Sequence, residues 1–184
     1  MGFKEAIKLA PEIGNMSKAL GMSTEEGATL IGQLTTIGGL SAETAIQFTK
    51  QTEMLAAQEG VAPAAVMKDI AENTELFAKY GKGATKNIAK AAVEAKKLGV
   101  NLKTVDKIAD SLLDFQNSIA KEMEAEVLLG RSLNLNKARQ FALEGNIVGM
   151  MREAKRAIGG EAAFNKLNRI EREARTGKIK GLDG

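Results

Sequence analysis

The chain has 184 residues, enough for one ordinary domain or two small ones. Aromatic residues make up only 4% of it, with no Trp and Tyr80 as the single tyrosine, so Ala, Leu, Ile and Met must build the core from small, flexible side chains. The formal charge is only +3, and the absence of Cys and His excludes disulfides, thiolate nucleophiles, imidazole bases and the usual zinc or haem ligands.

Residues 1–15 carry Lys4, Glu5, Lys8 and Glu12 among apolar residues and lack the apolar run and small-residue cleavage site of a secretory signal. Ala6 stands where a myristoylation signal needs Ser or Thr. The longest uncharged stretch, 27–42, is interrupted by Gly, Gln and Thr, so no membrane span is expected.

Apolar periodicity predicts helices over 3–20, with a kink or break at Pro11, then 24–37, 42–58, 63–79 and 84–98. Ser23 with Glu26 forms a capping box, Ser41 precedes a helical run, and Pro63 suits a first helical position. Four helix entries share a glycine, an apolar residue and a small or capping residue: Gly21-Met22-Ser23, Gly39-Leu40-Ser41, Gly60-Val61-Ala62 and Gly99-Val100-Asn101. Their spacings of 18, 21 and 39, with Tyr80-Gly81 near the missing entry, make residues 1–100 a degenerate repeat of one helix and one turn. No such repeat can bury its own face, so neighbours or partners must.

Residues 101–130 read as one long helix, 102–129, about 42 Å in length. Its apolar positions Val105, Ile108, Leu112, Phe115, Ile119 and Met123 step by three and four, a coiled-coil-like seam suited to a bundle or to self-association. Asp106, Asp110 and Asp114 fall on one face of that helix, where a solvated or lysine-paired row is expected. A metal would need convergent ligands from other helices.

Helices follow over 135–144, 146–158 and 161–175, with Asn101, Asn134 and Asn146 as caps. Residues 137–184 hold 11 Lys and Arg against 6 Asp and Glu, whereas 1–136 hold 15 against 17, so 131–184 forms a basic helical C-terminal region. Arg169, Arg172, Arg175, Lys178 and Lys180 are its candidates for contact with an anion. No aromatic residues interleave them, which excludes a stacking platform for single strands.

The fold class expected is all-α: a string of short helices with one long one, arranged as a bundle or a loose repeat array. Residues 81–86, Gly-Lys-Gly-Ala-Thr-Lys, match no phosphate-binding loop and have no preceding strand, so they read as an inter-helix turn. The helix pair in 11–34 has the outline of a helix-turn-helix, yet its second helix opens on Thr24, Glu25 and Glu26 with no base to meet phosphates, making sequence-specific DNA binding unexpected. Carboxylates, lysines and one tyrosine are the only titratable tools, and nothing groups them into a catalytic set. No enzyme, cofactor or metal is expected.

From Leu98 to Glu144 the text includes Ser111-Leu112-Leu113-Asp114-Phe115 and then the run from Ser118 to Arg139, SIAKEMEAEVLLGRSLNLNKAR. This segment, about a quarter of the chain, resembles the tail tape-measure proteins of tailed bacteriophages and related contractile-tail virion proteins; the earlier glycine-punctuated helices resemble them only loosely. The resemblance implies a helical structural protein that fills the tail tube, sets its length by residue count and leaves ahead of the genome. It places the chain in the virion tail, and in the host cytoplasm during assembly. Tape-measure proteins are usually far longer, so a fragment or short relative is implied.

The expected interaction residues are Val105, Ile108, Leu112, Leu113, Phe115, Ile119, Met123, Leu128 and Leu129, with self-association or other tail proteins as partners. The competing expectation is a small helical regulatory or nucleic-acid-binding protein, which salt would discriminate, since phosphate contacts weaken steeply as ionic strength rises.

Overall fold

The computed structural model describes residues 3–80, 85–130 and 132–160, except the side chains of 3–7, 128 and 129. Those residues form ten α-helices and no strand, an all-α protein. They divide into two compact units, Met1–Ile108 and Ala109–Gly184.

In the first unit, α1 (Phe3–Ala19) packs on α2 (Thr24–Thr36) and α3 (Ala42–Gln58), α2 packs on α3 and α4 (Pro63–Ala71), and α3 packs on α4. Short α5 (Glu75–Tyr80) precedes α6 (Thr85–Lys97), which lies against α3, α4 and α5 and closes the stack. Helices this short cannot bury their own faces, and Met16, Leu30, Ile31, Leu34, Ile46, Val66 and Ile88 are buried among the packed helices. An aromatic pair, Phe48 and Phe77, meets edge to face at 5.5 Å.

All four repeat-entry glycines adopt the left-handed conformation, with φ of 68° at Gly21, 67° at Gly39, 71° at Gly60 and 69° at Gly99. At three of them the next amide bonds back five residues, Met22 to Ser17 O, Val61 to Ala56 O and Val100 to Ala95 O, which closes the preceding helix. The new helix then starts on its cap. Ser23 Oγ accepts from the Glu26 amide while the Glu26 carboxylate accepts from the Ser23 amide. Ser41 Oγ accepts from the Thr44 amide, and Pro63 opens α4. Gly81 lies outside the described residues.

Three predicted helices differ in detail. Helix α1 runs on through Pro11, its inward face anchored by Leu9, Ile13 and Met16, against a proline cost of about 3 kcal/mol. The helix expected over 63–79 breaks at 72–74, where the Asn73 amide side chain donates to Asp69 O at 2.7 Å and competes with the backbone ladder. The helix expected over 102–129 is two, α7 (Leu102–Leu113) and α8 (Phe115–Leu129). Asp114 makes the break: its carboxylate caps α8, accepting from the Asn117 amide at 3.4 Å and from Asn117 Nδ2 at 2.6 Å.

In the second unit α8 is followed by α9 (Asn136–Leu143) and α10 (Ile147–Ile158), which pack on each other through Ala138, Ala142, Ile147 and Met150. Asn146 caps α10 as expected, through the Gly149 amide. Asn134 does not cap α9: Leu135 holds the cap position, and Asn134 Oδ1 accepts from the Asn136 amide instead. The helix expected over 161–175 lies outside the described residues.

Candidate interaction surface

The break at Asp114 divides the expected seam. On α7, Val105 and Leu112 are buried and Ile108 is half-buried, so they serve packing. Beyond them, Leu113, Phe115, Ile119 and Met123 are exposed. The seam is therefore interrupted at the Asp114 cap, with Val105 and Leu112 buried before it and Phe115, Ile119 and Met123 exposed after it. Leu128 and Leu129 belong to α8, but their side chains lie outside the described set, as do Arg169, Arg172, Arg175, Lys178 and Lys180.

Helix α8 carries two polar-against-apolar rows, each with a step of four. The first is Ser118, Glu122 and Glu126, and it grips the loop and helix that follow. Glu126 Oε1 accepts from the Leu133 amide at 2.6 Å and from the Ser132 hydroxyl at 2.9 Å. Glu122 Oε1 accepts from the Leu135 amide at 2.9 Å. Arg139, 4% exposed, completes the grip from α9: its Nε donates to Ser118 Oγ at 2.9 Å, Nη1 to Asn136 Oδ1 at 3.0 Å, and Nη2 pairs with Glu122 Oε2. The guanidinium fork thus spends three of its donors in fixed directions, a use lysine cannot match. The Leu133 amide, with help from Ser132, holds the Glu126 carboxyl below the ordinary glutamate range, so it stays charged.

The second row is Phe115, Ile119, Met123 and Val127, exposed to 47%, 51%, 63% and 82%. Residues four apart advance by about 40° around a helix, so these four side chains form one slowly winding ridge. Their exposed area is on the order of 500 Å², within the range of surface patches that are often functional. The polar row fixes α8 against α9, and the ridge is held outward on that rigid support.

In the first unit Asp69, 2% exposed, ties three elements together. Its oxygens accept from the Leu102 amide at 3.0 and 3.2 Å and from Asn73 Nδ2 at 3.2 Å, and Lys96 Nζ lies 3.3 Å away. Burial pushes its carboxyl above the ordinary aspartate range, against the downward pull of Leu102 and Lys96. Of the three aspartates expected on one face, Asp106 and Asp110 stay four apart on α7, Asp106 taking Lys79 Nζ at 2.7 Å and the Tyr80 hydroxyl at 2.8 Å, while Asp114 leaves the row to cap α8. Among the described residues no three carboxylates converge on a metal position, and every buried side-chain polar atom has a hydrogen-bond partner. No described helix is long and apolar enough to cross a membrane.

The expected interaction residues did not include Ser118, Glu122, Glu126 or Arg139. A polar row with a step of four, followed by a Leu-Asn-Leu-Asn turn and an arginine, was the available signal, and it disappears when 102–129 is read as one rod. Comparison with protein-family models, curated proteins and solved structures finds no match to this chain.

Proposed function

We propose that the chain is a helical structural component of a phage tail, of the tape-measure type, acting by protein–protein packing and not by catalysis. It would work in the virion tail after assembly in the host cytoplasm, without a cofactor. The observation that carries this reading lies in the run from Ser118 to Arg139, the specific part of the resemblance. That run spends its polar side chains on holding α8 to α9 and turns Ile119, Met123 and Val127 outward. Such a hairpin offers a partner an apolar ridge on a rigid base. The buried polar groups elsewhere are likewise satisfied within the fold, which suits a packing element more than a chemical site.

Sedimentation equilibrium over a concentration series, with circular dichroism as a check on helicity, tests the ridge. Concentration-dependent association that Ile119→Asp abolishes while helicity is kept is the expected result. A helical monomer at every concentration would remove the ridge as a self-association surface and leave only a different tail protein as its partner.

A further inference from the structure

A second surface lies in the first unit and does not depend on the reading of α8. Between α3 and α6 runs an open groove of about 690 Å³. Phe48, Thr52 and Ala89 form its nearly buried floor, and Met54, 57% exposed, stands beside it. One wall carries the neutral amides Gln47, Gln51 and Gln58 of α3; the other carries Lys86 and Lys90 of α6.

The charge in this groove is one-sided. Among the described residues its lining holds two ammonium groups and no carboxylate. Some other lysines of the unit are paired, Lys50 with Glu12, Lys96 with Asp69 and Lys97 with Glu59, while Lys8, Lys18, Lys103 and Lys107 show no ion pair among the described residues. Among the described residues Lys86 and Lys90 have no such partner, and at positions four apart they repel each other mildly. A groove between α2 and α4 differs in sign, being lined by Glu25, Glu26 and Glu72 around Lys68.

We infer that the α3–α6 groove docks an amphipathic helix of a partner protein, with an apolar stripe on the Phe48–Ala89 floor and carboxylates along the edge facing Lys86 and Lys90. From Thr44 to Gln58 the groove runs for about 21 Å, the length of a helix of roughly 14 residues. Apolar contact supplies the occupancy, the lysine wall selects the acidic edge and its direction, and the glutamine wall can bond polar groups on the opposite edge.

The test uses the full chain and two labelled peptides of about 14 residues, held helical by a side-chain staple. Both carry leucines four apart; one has glutamates along the flanking edge and the other lysines. Fluorescence anisotropy should show saturable binding of the glutamate peptide only. Lys86→Glu/Lys90→Glu and, separately, Met54→Asp should each weaken it by about tenfold or more, while Lys103→Glu on α7 leaves it unchanged. All four positions are exposed, and circular dichroism verifies that the variants keep their helicity. Equal binding of the two peptides, binding indifferent to the groove variants, absence of binding, or equal competition by polyglutamate lacking the leucines would each overturn the inference.

Discussion

Arg139 shows how much one side chain can organise in this protein. A buried guanidinium is costly unless its donors are met, and here Ser118, Asn136 and Glu122 meet them. Arg139→Met should therefore lower stability to urea by about 3 kcal/mol, since it strands the Glu122 charge. Arg139→Lys should recover little, because one ammonium cannot serve three acceptors in a plane. Glu122→Gln keeps an acceptor for Leu135 but removes the charge, so the double variant Arg139→Met/Glu122→Gln should lose less than the two single losses combined. Strictly additive losses would mean the pair is not coupled. The local caps at Ser23, Ser41 and Asn146 were legible in the sequence because donor and acceptor lie three residues apart. Arg139 was not, since its partner Ser118 is 21 residues away across a turn.

At the scale of the helix, two glycines make contrasting demands. Gly27 of α2 faces Ser17 of α1, and a Cβ there would sit 1.8 Å from Ser17 Oγ and 2.9 Å from Ser17 Cβ. Since Ser17 is buried and its hydroxyl is bonded to Ile13 O, it has little freedom to retreat. Gly27→Ala should cost about 2–3 kcal/mol by overpacking, although alanine is the better helix former. Gly99→Ala meets open space and should cost only the left-handed backbone penalty, about 1–2 kcal/mol. Chemical denaturation of both variants checks the ranking, and a greater loss for Gly99→Ala would contradict the close α1–α2 approach. The repeat glycines were readable because a turn needs a left-handed residue wherever it occurs. Gly27 was not, because its need comes from a neighbouring helix.

For the whole molecule, acid stability reflects opposing carboxylates. Hydrogen bonds from Ser23 to Glu26, from Lys97 to Glu59 and from Leu133 to Glu126 hold those three carboxyls below their ordinary range. Their stabilisation is present above the unfolded value, about 4.3, and is lost as pH falls through the depressed folded values. Asp69 has the opposite sign: its contribution is full below about 3.9 and is lost as pH rises through its raised folded value. Asparagine imitates the protonated form, so Asp69→Asn should gain stability relative to the parent as pH rises above about 3.9, then level off. Urea denaturation of both proteins between pH 3.5 and 7 follows that difference; a flat or falling difference would show that Leu102 and Lys96 outweigh burial. The sequence by itself determined the helical class, nearly all the helix starts and the glycine-closed turns of the first hundred residues, because periodicity and capping act within a few residues. Tertiary structure alone decided that Glu122, Glu126 and Arg139 form one grip, and that Ile119 faces outward while Leu112 faces in; the break at Asp114 rests on a local cap to Asn117 that the continuous apolar stepping of 102–129 conceals. The grip and the facing depend on which groups meet across separate elements of the chain, and a buried arginine takes its role only once its partners are in place.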